Sequence, residues 1–89
     1  MYIHEKEVFK IIELKNKYLV SCSQDKSIIF FIKDKSSYKK NYKLSTNGTC
    51  SSLIQIKDNE ICFSENNIYN YNICFFDFNQ KQIKFHYLI

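Results

Sequence analysis

Proline, arginine, alanine and tryptophan are missing from this 89-residue chain, and glycine occurs once, at Gly48. A single glycine leaves no G-x-S-x-G elbow, no oxyanion turn and no phosphate-cradling loop, so the serines, histidines and aspartates do not assemble into a hydrolase signature. The carboxylates Glu13, Glu60 and Glu65 are scattered and would pair only if the fold brought them together. Cysteines stand at 22, 50, 62 and 74 with no C-x-x-C pair, whereas zinc sites draw ligands in close pairs. They read as reduced, mostly buried thiols. No apolar stretch approaches the ~18 residues of a membrane span, and Met1-Tyr2-Ile3-His4-Glu5 does not open a secretory leader. The expectation is a cytoplasmic protein, not an enzyme, with no metal, no cofactor and no membrane contact.

What the chain does have is lysine, asparagine, isoleucine, tyrosine and phenylalanine. All thirteen basic residues are lysine and the net charge is +4. These residue types share adenine- and thymine-rich codons, so the charge by itself says little about a partner. At this length one small domain is the upper bound.

Strand signals dominate. Short β-branched and aromatic runs cover 8–14 (VFKIIEL), 18–21, 28–32 (IIFFI), 42–44, 53–56, 61–63, 73–78 (ICFFDF) and 83–88. Asn, Asp, Ser, Lys or Gly bounds each one, the punctuation of β structure. VFKIIEL could pass for a short helix by periodicity, but no window sustains a capped helical stripe. The run Ile28-Ile29-Phe30-Phe31-Ile32 is apolar at both parities, as is much of 73–78, so these strands need cover on both faces.

An internal repeat supplies that cover. Leu14-Lys15-Asn16-Lys17-Tyr18-Leu19 aligns with Ile56-Lys57-Asp58-Asn59-Glu60-Ile61 at an offset of 42, placing Val8 and Ile11 on Cys50 and Leu53. Ser27-Ile28-Ile29-Phe30-Phe31 aligns with Asn72-Ile73-Cys74-Phe75-Phe76 at an offset of 45. The three extra residues fall in the polar stretch 66–71, where an insertion costs little.

The first copy carries His4, Val8, Ile11 and Leu19, then Ser21-Cys22-Ser23-Gln24-Asp25, then Ile28 and Phe31, without a gap. This order resembles the WD40 repeat, which runs from a His through L-x-S-G-S-x-D to a strand ending in Trp-Asp. The resemblance implies an all-β fold of two WD40-like four-stranded antiparallel blades, 5–45 and 46–88, forming a partial β-propeller. It also implies a structural network of His4, Ser21 or Ser23, Asp25 and Phe31, with Asp25 in the tight turn between the second and third strands. Cys22 replaces the family's Gly and Phe31-Ile32 its Trp-Asp, so the last link of that network lacks an N–H. In the second copy Thr46 stands at the His position, Asn67 near the Asp position, and Asp77 retains the final acid.

Propellers of this family are interaction scaffolds, so the resemblance implies protein or peptide partners. Propellers typically have ~4–8 blades, so two blades imply further blades or self-association: a piece of a larger propeller, a truncated frame, or a unit joining copies of itself. Ile3, Tyr87 and Leu88 are expected to pack on such a neighbour. The candidate partner-binding positions are Gln24 and Lys26 in the first turn, Tyr38, Lys39 and Lys40 in a basic loop 33–41, and Tyr69 and Tyr71 in the insertion. The competing reading is a small basic β module that holds single-stranded nucleic acid through Tyr38, Lys39, Lys40, Tyr42 and Lys43, by phosphate attraction and base stacking. The bland reading of that stretch, an outer strand charged against edge pairing, is preferred, so nucleic acid is not the expected partner.

Overall fold

The computed structural model describes residues 6–88, and their side chains as far as residue 84. His4 and Ile3 lie outside the described residues, as do the side chains of Tyr87 and Leu88. Eight strands follow one another: β1 (Val8–Glu13), β2 (Leu19–Ser23), β3 (Ser27–Asp34), β4 (Ser37–Ser45), β5 (Thr49–Lys57), β6 (Glu60–Asn66), β7 (Tyr71–Asp77) and β8 (Gln82–Leu88). They form two four-stranded antiparallel meanders, β1-β2-β3-β4 and β5-β6-β7-β8. The protein is all-β, with no helix among the described residues and therefore none able to cross a membrane. The helix-like VFKIIEL is strand β1, as its β-branched content favours.

The turns are tight despite the shortage of glycine. Lysine takes the left-handed position instead: Lys17, Lys26, Lys35 and Lys81 all have φ between 54° and 74°. Each sits in a hairpin turn, where one left-handed residue matches the twist of the flanking strands. A side chain in that region costs roughly 1–2 kcal/mol.

The two sheets stack face to face. Leu14, Val20, Cys22, Ile28 and Phe30 of the first sheet and Cys50, Leu53, Ile61, Phe63, Cys74 and Phe76 of the second form one buried cluster. Phe30 is its hub, with ring centroids 5.9 Å from Phe76, 5.8 Å from Phe78 and 6.1 Å from Tyr42. Tyr42 stacks on Phe76 at 6.2 Å, and the Lys81 ammonium lies 5.3 Å from the Tyr42 ring centroid. Apolar area removed from water at ~25 cal/mol per Å² is the main force holding such a pair of sheets together. The predicted need for cover on both sides of Ile28–Ile32 and 73–78 is met in part: Ile28, Ile29, Phe30, Cys74 and Phe76 are buried, whereas Phe31, Ile32, Ile73 and Phe75 are half-buried.

One expectation is corrected. Residues 33–41 are not a loop: Lys33 and Asp34 end β3, Ser37 to Asn41 begin β4, and only Lys35 and Ser36 form the turn. β4 is an edge strand that bonds one neighbour, so its polar residues cost nothing on the open side. Its lysines and the bulge opposite Phe30 and Phe31 oppose pairing with another chain.

Candidate functional site

Antiparallel meanders sort their connections to two ends. The β2–β3 turn (24–26), the β4–β5 link (46–48) and the β6–β7 loop (67–70) share one end. The tie is direct, since the Thr46 N–H donates to the Lys26 carbonyl at 2.9 Å. The opposite end gathers the β1–β2 and β5–β6 turns, where the Lys15 N–H donates to the Gln55 side-chain carbonyl at 2.9 Å.

At the first end, Asp25 occupies the β2–β3 turn. Its carboxylate accepts the Ser27 hydroxyl, and its N–H donates to the Ser23 hydroxyl oxygen at 3.1 Å. Ser23 in turn donates towards the Glu7 carbonyl at 2.8 Å, and the Gln24 N–H reaches the same carbonyl at 2.9 Å. The cluster therefore clamps the backbone that enters β1. Ser21 is buried in β2, opposite Ile11 and Ile29. Phe31 is half-buried beside the β3–β4 bulge.

The second copy does the same work with different chemistry. Glu65 stands at the repeat position of Ser23 and Asn72 at that of Ser27, and the two are cross-strand partners like their counterparts. Glu65 is buried; it accepts the Asn47 N–H at 2.9 Å and the Asn72 amide at 3.4 Å, clamping the chain that enters β5. Thr46 donates to the Gly48 carbonyl at 2.7 Å. The insertion is one extra rung, Asn66 opposite Tyr71, plus a four-residue loop. Asn67 caps this loop, its side-chain oxygen accepting the N–H groups of Tyr69 (2.8 Å) and Asn70 (3.0 Å). The loop is thus pinned from inside, yet Ile68 and Tyr69 are 87% and 85% exposed, and Tyr71 is 41% exposed.

Asp77 lies at the far end of the molecule from this loop. Buried at the end of β7, it accepts the N–H groups of Asn79 and Gln80 and the Asn59 amide at 2.9 to 3.0 Å, joining two neighbouring turns. Tyr38, Lys39 and Lys40 lie on β4, with Lys39 3.6 Å from the Asp34 carboxylate and both groups mostly exposed, so that pair adds little. Gln24 and Lys26 are exposed on the β2–β3 turn. The candidate contact residues therefore do not form one patch: Gln24, Lys26, Tyr69 and Tyr71 share one end, and Tyr38 to Lys40 lie apart on an edge. Ser27, Glu65 and Asn72 were missed in the sequence. The offset of 42 could have flagged Glu65, the residue aligned with Ser23.

Among the described residues, no group of three or more His, Cys, Asp or Glu side chains could hold a metal ion. Cys22, Cys50 and Cys74 are buried and Cys62 is half-buried, and none is bridged. A hydrogen bond with Cys22, reinforced by burial, pushes the Cys50 thiol up; the same bond lowers Cys22. Burial, then the Glu65 charge, pushes Cys74 up to about 12. Cys50 and Cys74 are thus held protonated in the core. No family model, no curated protein and no solved structure matches the chain.

Proposed function

We propose that this protein is a WD40-like interaction scaffold, a partial propeller that presents its turn-bearing end to other proteins or peptides and performs no catalysis. The observation that carries the reading is the β6–β7 loop, where Ile68 and Tyr69 stand almost fully in solvent on a backbone fixed by Asn67. Large apolar side chains on a pinned backbone need little further loop ordering on binding and act as anchors for a partner's pocket. Gln24 and Lys26, exposed on the β2–β3 turn at the same end, add polar contacts. The buried carboxylates support a structural role, because Glu65 and Asp77 spend their oxygens on backbone and amide N–H groups.

The nucleic-acid alternative has less support. Of its two aromatic rings, Tyr42 is already stacked on Phe76 beneath Lys81, leaving Tyr38 alone beside the lysines. The deciding experiment is affinity capture with and without nuclease, comparing the wild type with an Ile68→Ser, Tyr69→Ser double variant of unchanged thermal midpoint. Nuclease-resistant protein partners lost in the variant support the scaffold. Partners indifferent to the variant, or removed by nuclease, overturn it.

A further inference from the structure

We propose that the outer face of the second sheet is a docking surface for the first sheet of another copy of this chain, in a head-to-tail association. The argument rests on which repeat positions face each other across the existing interface. The first sheet turns Ile12, Leu14, Val20, Cys22, Ile28 and Phe30 towards the second. Their repeat equivalents, at offsets of 42 and 45, are Ile54, Ile56, Cys62, Ser64, Ile73 and Phe75. Those residues lie on the side of the second sheet turned away from the core: Ile54 is 51% and Ile56 38% exposed, with Cys62, Ile73 and Phe75 half-buried and Ser64 buried.

The converse also holds. The second sheet buries Cys50, Leu53, Ile61, Phe63, Cys74 and Phe76, whose equivalents are Val8, Ile11, Leu19, Ser21, Ile29 and Phe31 on the far side of the first sheet. Ile29 and Ser21 are buried there, while Val8 and Ile11 are exposed and Leu19 and Phe31 half-buried.

The internal interface therefore joins two different faces of one repeated unit, and each is present once more, on opposite outer sides of the molecule. A second copy would set its Val8–Ile11–Leu19–Phe31 side on the Ile54–Ile56–Ile73–Phe75 side and continue an interface that the fold already forms. Such contacts are heterologous: they close into a ring if the rotation between sheets permits and otherwise extend. The inference stands on the strand register and is independent of the loop anchors assigned above.

The test is sedimentation equilibrium of the wild type, of Ile54→Glu and of Ile11→Glu, both at exposed positions, with circular dichroism confirming the sheet content. The wild type is expected to associate with rising concentration. Each variant alone should associate at least roughly tenfold more weakly, because every contact needs both faces and a buried unpaired carboxylate is costly. An equimolar mixture of the two should form a heterodimer and stop there, since only one intact pair of faces remains. A monomeric wild type, an Ile11→Glu variant that still associates, or a mixture without heterodimer would overturn the proposal. Should either variant fail to fold, Ile56→Lys and Val8→Lys address the same two faces. A surviving loop-partner interaction in the dissociated variants keeps this test separate from that of the scaffold.

Discussion

Replacing Gly48 by alanine probes the join between the two sheets. A Cβ at this position would lie 2.5 Å from the Asn66 carbonyl oxygen, 2.7 Å from its carbon and 3.0 Å from its nitrogen. All three are backbone atoms, so no side chain can swing aside. Gly48 does not have positive φ, and the effect is one of space alone. Asn66 pairs with Thr49 in the first rung of β5–β6, so relief requires pulling the start of β5 away from β6. That motion carries Asn47 with it and stretches its 2.9 Å bond to the buried Glu65 carboxylate. Overpacking costs about 1–3 kcal/mol, and weakening a hydrogen bond to a charged group adds part of its ~1.5–3 kcal/mol. A combined loss of about 2–4 kcal/mol follows, or on the order of 10–20 °C in the unfolding midpoint of a domain this size. The assay is thermal and urea unfolding followed by far-ultraviolet circular dichroism. A midpoint within about 4 °C of wild type, equivalent to under 1 kcal/mol, would refute the reasoning.

Three further outcomes are expected. Glu65→Ala should cost about 1.5–3 kcal/mol in urea unfolding, because it removes the charged acceptor of the Asn47 N–H and with it the clamp on β5; an unchanged midpoint would show that the carboxylate holds nothing. Lys26→Gly should stabilise by up to about 1 kcal/mol, since glycine adopts the 65° φ without penalty, and a lower midpoint would count against the turn assignment. Because Cys74 is raised to about 12 in the fold, its contribution is complete below the unfolded thiol's range near 9 and is lost as pH rises through about 12. Stability of Cys74→Ala measured against pH should therefore fall less steeply than wild type in that window, and equal slopes would exclude the effect.

The eight strands could be read in the chain because each short apolar run is bounded by turn residues, and because the repeat offsets place equivalent residues on equivalent strands. The step from 42 to 45 placed the three extra residues within 66–71 but read that stretch as a loop, whereas its ends, Asn66 and Tyr71, pair as an extra rung. β4 was read too short and 33–41 as a loop, because an edge strand need not be apolar or rich in β-formers when one neighbour supplies its hydrogen bonds. Asp25 could be assigned to its turn through the resemblance carried by Ser21-Cys22-Ser23-Gln24-Asp25. Glu65 could not be given its role, because a carboxylate and a hydroxyl look unrelated until both are seen holding the strand that follows.

The order of apolar and polar residues alone determined that this chain makes β-strands, how many, and that they come in two equivalent sets, since period-two patterning and turn chemistry are local properties. Only the tertiary structure decided which face of each set is spent on the other. Alternation marks two faces on every strand but cannot say which one meets a neighbour. Stacking buried Val20, Ile28 and Phe30 while leaving their counterparts Cys62, Ile73 and Phe75 on the outside, and that asymmetry arises only when one sheet lies against another.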